Sequence, residues 1–336
     1  MKIAFKLLKS GSGSDIYFER LSKVLKKNGF KTEIFYYHRY FQFFPILLKL
    51  FNGKRNYDIV HSNAECGWVF KRKDIPLIVT VFHLVYDKEY QKTTSLFQKI
   101  YHYLLLKPNM QKTLDSADKV IAISKYTKKS INNYFKTRKE ISVIYCGIDF
   151  SIFKPAKFKK YNDNKFHLLF VGNLIKRKGV DLLPKIMKLL GNNYVLHYTS
   201  GLRTKPPNNF DLPNMIPLGR LSEEELVSMY NKCNVLLAPS RLEGFGYQVA
   251  EAMACGKPAI ATNRSSSPEL IINNKGGFLC EIDNVKDFVE KIKVLSENKY
   301  LMKKMGQFNR QRILDKFNLE KMRKKYQQLY YELLKI

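Results

Sequence analysis

The chain has 336 residues and carries 59 Lys and Arg against 29 Asp and Glu, a formal net charge of +30. That length implies about two domains, each able to bury its own core. A content of 45% hydrophobic and 13% aromatic residues excludes a mainly disordered polycation.

Lys2–Leu8 reads as a first strand, and Ile16–Asn28 has apolar residues at helical spacing before a stop at Gly29. Strands follow at Phe30–Tyr37, Tyr57–His61 and Pro76–Phe82, the last a continuous apolar run of the kind buried in parallel sheets. Lys119–Ile123, a helix from Lys125 to about Phe135, and Ile141–Tyr145 complete the series. The polar, basic tract Phe153–Asn164 makes a linker. The alternation then restarts with Phe166–Val171, a helix after Gly179, Tyr194–Tyr198, Val235–Ala238, a helix from about Gln248 to Ala254, and Pro258–Ala261. From about Asn284 to Ile336 the chain is helical and rich in basic residues. Two successive βα series imply two doubly wound α/β domains facing a central cleft. The expected boundaries are 1–155 and 164–318, with a terminal helix at 319–336.

The opening MKIAFKLLKSGSGS reads as strand and turn, too short for a signal peptide. No run reaches the ~18 apolar residues needed to span a bilayer. The nearest, Tyr40–Phe51, is broken by Gln42, Pro45 and Lys49. Five scattered cysteines (Cys66, Cys146, Cys233, Cys255, Cys280), with no CxxC pair, argue against a disulfide framework or structural zinc. A reducing cytoplasm is therefore expected.

The charge is uneven. Residues 1–150 carry 27 basic and 12 acidic groups, whereas residues 201–300 balance at 12 and 12. Such a field attracts polyanions: nucleic acid, anionic lipid or acidic glycan. The bland alternative is a solvated lysine-rich surface. Phe35–Phe51, which mixes aromatics, leucines and basic residues, reads either as a membrane-interface segment or as a core-packing helix with one wet face.

The densest chemical signal is Ala238–Ala261, APSRLEGFGYQVAEAMACGKPAIA. Glycines at 244 and 246 let backbone approach a ligand, and a following helix start offers free N–H groups to an anion. Glu243 and Glu251, eight residues apart, each suit a diol of a sugar or ribose. The pattern suggests a hydroxyl-rich, phosphate-bearing ligand; an ordinary strand–loop–helix corner with two surface glutamates would look alike on spacing alone.

EGFGYQVAEAMACGKPAIA resembles the E-x7-E signature of the retaining glycosyltransferases of the GT4 family, which have the GT-B fold. GSGSDIYFERLSKVLKKNGFKTEIF, VTVFHLVYD, KVIAISKYTKKSI, SVIYCGIDFSIFKP, LLFVGNLIKRKGVDLL, IPLGRLSEEELVSMYNKCNVLLAPS and SPELI resemble further family segments in the right order. The resemblance implies that Glu243 holds hydroxyls of the transferred sugar and that amides around Phe245 and Gly246 orient it. It implies that Glu251 holds ribose hydroxyls, and that Arg177 and Lys178 bind the diphosphate and stabilise it as it leaves. Gly13 would let backbone approach that diphosphate, and His83 would sit over the donor sugar. No cofactor or metal is then expected, and no Asp-x-Asp pair occurs.

Three positions depart from the family pattern: Asn173 stands where Arg is common, Ser265–Ser267 where glycines are common, and Cys146 where Asn is frequent. His38, His61, His102, His167 and His197 share no metal-ligand spacing and read as structural.

The expected activity is retaining, metal-independent hexosyl transfer from a UDP- or GDP-sugar to a surface glycan or lipid-linked acceptor, on the cytoplasmic face of an anionic membrane. Rivals are a same-fold epimerase or phosphorolytic enzyme and a basic nucleic-acid-binding protein, although no nucleic-acid motif is present. Donor and acceptor choice would rest on loop side chains around Gly201–Asn209 and at Arg220.

Overall fold

The computed structural model describes residues 1–11, 13–51, 56–158, 161–200 and 210–335. They form two compact units, Met1–Gly147 with Leu319–Ile336, and Ile148–Asn318.

The first unit is built on six parallel strands: β1 (Lys2–Leu8), β2 (Lys31–Tyr37), β3 (Ile59–Asn63), β4 (Leu77–Val81), β5 (Lys119–Ala122) and β6 (Ile141–Val143). Their order in the sheet is β2-β1-β3-β4-β5-β6. Residues 59–63 and 77–81 are buried at every position, the mark of strands covered on both faces. Helices α1 (Gly13–Lys26), α2 (Lys88–Lys92), α3 (Leu96–Tyr101), α4 (Lys107–Ser116) and α5 (Lys125–Tyr134) connect them. A π-helical turn, His102–Leu106, joins α3 to α4 without a break. A capping box on Ser95 starts this run, its hydroxyl accepting from the Gln98 N–H.

The second unit also has six parallel strands: β7 (Phe166–Phe170), β8 (Tyr194–Thr199), β9 (Met215–Gly219), β10 (Val235–Ala238), β11 (Ala259–Thr262) and β12 (Gly277–Cys280). Their order is β12-β11-β10-β7-β8-β9. Helices α6 (Leu183–Leu190), α7 (Glu223–Lys232), α8 (Tyr247–Ala254), α9 (Ser267–Leu270), α10 (Val285–Glu297) and α11 (Lys299–Lys316) pack around this sheet, and α12 (Leu319–Leu334) belongs to the first unit. The winding reverses between β7 and β10, and in open α/β sheets the crevice at that reversal is where ligands bind.

Two local outcomes differ from the sequence reading. The division between units falls at Gly147, ahead of the polar tract, because 148–158 is tied into the second unit. Asn231 bridges the Ala156 N–H (2.9 Å) and the Lys154 carbonyl (3.1 Å), and Arg310 donates to the Phe153 carbonyl (2.8 Å). Phe35–Phe51 is not a core-packing helix: β2 runs to Tyr37, and two 3-10 segments follow, Arg39–Gln42 and Pro45–Phe51. Of these eleven residues only Pro45 and Leu48 are buried.

Helix α12 is fixed to the first sheet by polar groups inside an apolar shell. His61 on β3 is fully buried, with Nδ1 3.0 Å from the Tyr330 hydroxyl and Nε2 2.8 Å from the Thr80 hydroxyl. Thr80 pairs with the Tyr326 hydroxyl at 3.1 Å, and that hydroxyl also meets Tyr17 of α1. A buried polar chain of this kind is costly unless every member is satisfied, so it specifies one seating of the helix.

Burial pushes the His61 pKa down to about 3. An unfolded histidine titrates near 6.5, so above that pH neither state binds the proton and the native state keeps its full stability. As pH falls below it, the unfolded chain binds a proton that the folded chain refuses, and stability drops by up to about 1.4 kcal/mol per pH unit. Trp68 is the only tryptophan and lies in this unit, so its fluorescence reports the unit's unfolding. The urea midpoint read by Trp68 should fall between about pH 6.5 and pH 4, and His61→Gln, less stable at neutral pH, should flatten that dependence.

Candidate active site

The two loops at the β7/β10 reversal meet. After β7, residues Lys176–Lys178 make one 3-10 turn that ends at Gly179, with φ +69° and ψ 25°. A Cβ at Gly179 would lie 2.0 Å from the Pro239 carbonyl oxygen, so only glycine lets this turn press against the end of β10. The Arg241 N–H donates to the Arg177 carbonyl (2.9 Å), and the Arg177 guanidinium donates to the Leu242 carbonyl (2.7 Å). Residues some 65 positions apart in the chain are thereby locked side by side.

Their side chains converge on Glu243. Its Oε1 accepts from Lys178 Nζ at 2.5 Å and from Gln248 Nε2 at 3.2 Å, and Arg177 stands 3.8 Å from Oε2. Glu243 is 8% exposed. Burial alone would raise the Glu243 pKa, but the Lys178 and Arg177 charges outweigh it and hold the carboxyl at about 2. Burial works against the Lys178 ammonium and lowers its pKa, with Glu243 opposing that shift. The carboxylate is therefore ionised, oriented and countercharged before any ligand arrives.

The loop beyond it is braced by serines. The Glu243 N–H donates to Ser265 Oγ (3.0 Å), while Ser266 Oγ donates to the carbonyls of Glu243 (3.1 Å) and Phe245 (2.9 Å). These two serines thus anchor the glutamate loop, and Ser265 itself takes φ 54°. Gly246, φ 98°, starts α8. Phe245 is buried against Phe317, ring centroids 5.8 Å apart. Glu251 lies buried on α8, its carboxylate accepting from the Tyr230 hydroxyl at 3.1 Å.

Arg241 is a site component that sequence reasoning missed. Its guanidinium binds Asp181 (2.7 and 2.8 Å), Asp283 (2.7 Å) and the Lys176 carbonyl (2.5 Å). It pins the basic turn from behind. It stands two residues before Glu243 in the quoted motif, yet Asp181 and Asp283 lie 60 and 42 positions away, so no spacing signalled it.

The first unit holds the other two expected residues. Gly13 opens α1, and the loop before it folds around Asp15, which accepts from the N–H groups of Ser10 (3.2 Å) and Gly11 (2.7 Å). His83 lies two residues beyond β4, exposed, and lines a small cavity with Glu65, Thr80 and Tyr86. Glu65, two residues beyond β3, is a second residue the sequence reading passed over. Its signal was position: it follows a strand at the carboxyl edge of a parallel sheet, beside the β1/β3 reversal. The loop Gly201–Asn209 lies outside the described residues. Arg220 is exposed just after β9.

Gly179→Ala should disturb the site without touching a charged group. Positive φ and the clash with Pro239 together should cost on the order of 2–4 kcal/mol, read as a lowered urea midpoint by circular dichroism. An unchanged midpoint would mean that the turn is free to move off β10.

Two family models match the chain in succession: Glycosyltransferase Family 4 over residues 21–152 and Glycosyl transferases group 1 over residues 153–312. The uncharacterized glycosyltransferase MJ1178 of Methanocaldococcus jannaschii is 37% identical over 223 residues, 64% of this chain and 60% of that protein. The capsular polysaccharide biosynthesis glycosyltransferase CapM of Staphylococcus aureus is 28% identical over 65% of this chain and 63% of its own length. Among solved structures, sucrose-phosphate synthase of Thermosynechococcus elongatus matches with a TM-score of 0.85 at 20% identity, over 99% of both chains. Anabaena HepE, solved in complex with UDP and glucose, matches with a TM-score of 0.73 at 18% identity over 100% of both. Two consecutive family models, six parallel strands in each unit and full-length structural matches make one conclusion: the chain belongs to the GT4-type glycosyltransferases with the GT-B fold.

Proposed function

We propose that this protein transfers a hexosyl group, with retention of configuration and without a metal, from a UDP- or GDP-sugar to a growing surface glycan or lipid-linked acceptor at the cytoplasmic face of a membrane. The observation that carries the reading is the Arg177–Lys178–Glu243 cluster at the strand-order reversal of the second sheet. HepE in complex with UDP and glucose, and CapM in capsular polysaccharide biosynthesis, lend support for the donor and acceptor classes.

In this reading Arg177 and Lys178 face the donor diphosphate. As the bond from the anomeric carbon to the diphosphate oxygen breaks, negative charge grows on the leaving group, and two fixed cations favour that state over the ground state. Lys178 exchanges one anionic partner, Glu243, for another. That exchange frees Glu243 to accept hydrogen bonds from sugar hydroxyls, with Phe245 and Gly246 amides orienting the same sugar. Glu251 takes the ribose hydroxyls, and Gly13 and His83 keep the roles that the family resemblance gives them. The acceptor oxygen forms its new bond on the face the diphosphate leaves, through an oxocarbenium-like state, and its proton passes to the departing phosphate oxygen.

Glu243→Ala should lower transfer about a hundredfold or more; because it leaves the Lys178 ammonium without its buried partner, the melting temperature should fall while the far-UV circular dichroism spectrum stays that of the parent. A folded Glu243→Ala variant that transfers at the parent rate would contradict the assignment. Recovery of epimerised donor or sugar phosphate, in place of glycosylated acceptor, would move the protein to another activity of the same fold.

The pH profile gives an independent check. With the Glu243 pKa held at about 2 in the unliganded protein, kcat/KM for the donor, which reports the free enzyme, should show no acid limb from this carboxylate between about pH 4 and 7 in the parent. In Lys178→Ala the glutamate stays buried and loses its nearest counter-charge. Its pKa in the unliganded protein rises, so residual kcat/KM for the donor should fall as pH drops through that range. A Lys178→Ala profile as flat as the parent's would contradict the role of Lys178 in holding Glu243 ionised.

A further inference from the structure

Large apolar side chains left on the surface are not scattered in this protein. Thirteen of the twenty-one exposed large hydrophobics among the described residues lie in just two segments of the first unit, 40–51 and 96–105. The most exposed are Leu50 (80%) and Phe97 (85%), with Leu96 (71%), Leu104 (69%), Tyr40 (67%) and Phe44 (66%) close behind. The segments touch: the Phe43 and Tyr101 rings lie with centroids 5.3 Å apart.

Each segment is built to keep this face outward. In 45–51 the 3-10 turn buries Pro45 and Leu48 and leaves the other apolar residues outside. The α3–π–α4 run changes character along its length. Its second half buries Met110, Thr113 and Leu114 in the ordinary way. Its first half buries only His102 and turns Leu96, Phe97, Ile100 and Leu104 to solvent. A helix whose solvent-facing side is the apolar one needs a partner on that side.

The charges beside the patch define the partner. Residues 39–51 and 96–114 contain Arg39, Lys49, Lys99, Lys107 and Lys112 and no Asp or Glu. Lys49 and Lys112 hold their ammonium groups 5.5 and 5.4 Å from the Trp68 ring, and Lys107 lies 5.5 Å from Tyr103. Aromatics and leucines flanked by cations, on elements too short and polar to span a bilayer, match the interface of a membrane rich in anionic lipid. We infer that 39–51 and 96–112 form one membrane-docking surface, whose exposed apolar side chains enter the headgroup region of an anionic bilayer while the five cations meet lipid phosphates.

This deepens the lipid-linked acceptor of the proposed function, and it rests on that reading only for what the surface serves. The test needs no sugar. The full-length protein is sedimented with vesicles of phosphatidylcholine alone or mixed with phosphatidylglycerol. Binding should appear on the mixed vesicles and weaken at high salt. Phe97→Ser with Leu104→Ser should weaken it roughly tenfold for each side chain, and Phe44→Ser with Leu50→Ser likewise. These exposed positions leave the fold intact, and transfer to a water-soluble acceptor should stay at the parent rate. Loss of transfer in the Glu243 variant with vesicle binding retained separates failure of the activity from failure of the surface. Equal binding by parent and both pairs, absence of binding to mixed vesicles, or a dimer in solution that Phe97→Ser with Leu104→Ser dissolves would overturn the proposal.

Discussion

The second unit is organised around one constraint: a carboxylate and an ammonium, Glu243 and Lys178, must share a nearly dry site. Taking two charges out of water costs several kcal/mol per ion, and their attraction compensates only if the geometry is held. Much of the surrounding chain does that holding. Gly179 has no side chain because the Pro239 carbonyl occupies its place. Arg241 clamps the basic turn through two aspartates and a carbonyl, and Ser265 and Ser266 tie down the glutamate loop. Such expense is poor economy for stability alone, since well-packed apolar residues would serve as well. It makes sense where a ligand's charge is to be met by groups already in place.

The first unit solves a different problem. Its terminal helix α12 comes from the far end of the chain, and the His61–Thr80–Tyr326–Tyr17 chain with Tyr330 sets where it seats. The outer face of the same unit carries the opposite signature, apolar side chains left in water. Buried polar groups and exposed apolar ones are both against the ordinary rule, and each marks a place where something beyond core packing is being specified.

Much of this architecture was legible in the sequence. Continuous apolar runs such as Leu77–Val81 and Val235–Ala238 announce buried parallel strands. The glycine-punctuated EGFG loop and the IKRKG turn mark the two loops that meet. The less legible parts share a cause: they depend on what lies across the fold. Strand β9 contains Pro217 and exposed Ile216, and β12 is a four-residue edge strand opening with glycine, so neither carries a period of its own. Arg241, Ser265 and Ser266 gain meaning only from partners that spacing does not reveal. In α3 and the π-helical turn after it, Phe97, Ile100 and Leu104 have helical spacing, and sequence cannot say which side of the helix faces water. His61 reads as a structural histidine, but the two tyrosines it serves lie more than 260 residues away.

The proposed transfer requires that Arg177 and Lys178 bind a diphosphate. The most direct measurement is calorimetric titration of UDP, GDP, CDP and ADP, with chelator present, into the parent and into Arg177→Ala/Lys178→Ala. UDP or GDP should bind the parent in the presence of chelator, and the double variant should lose at least about tenfold in affinity. Equal affinity in parent and variant, or binding that vanishes on addition of chelator, would contradict the proposed transfer.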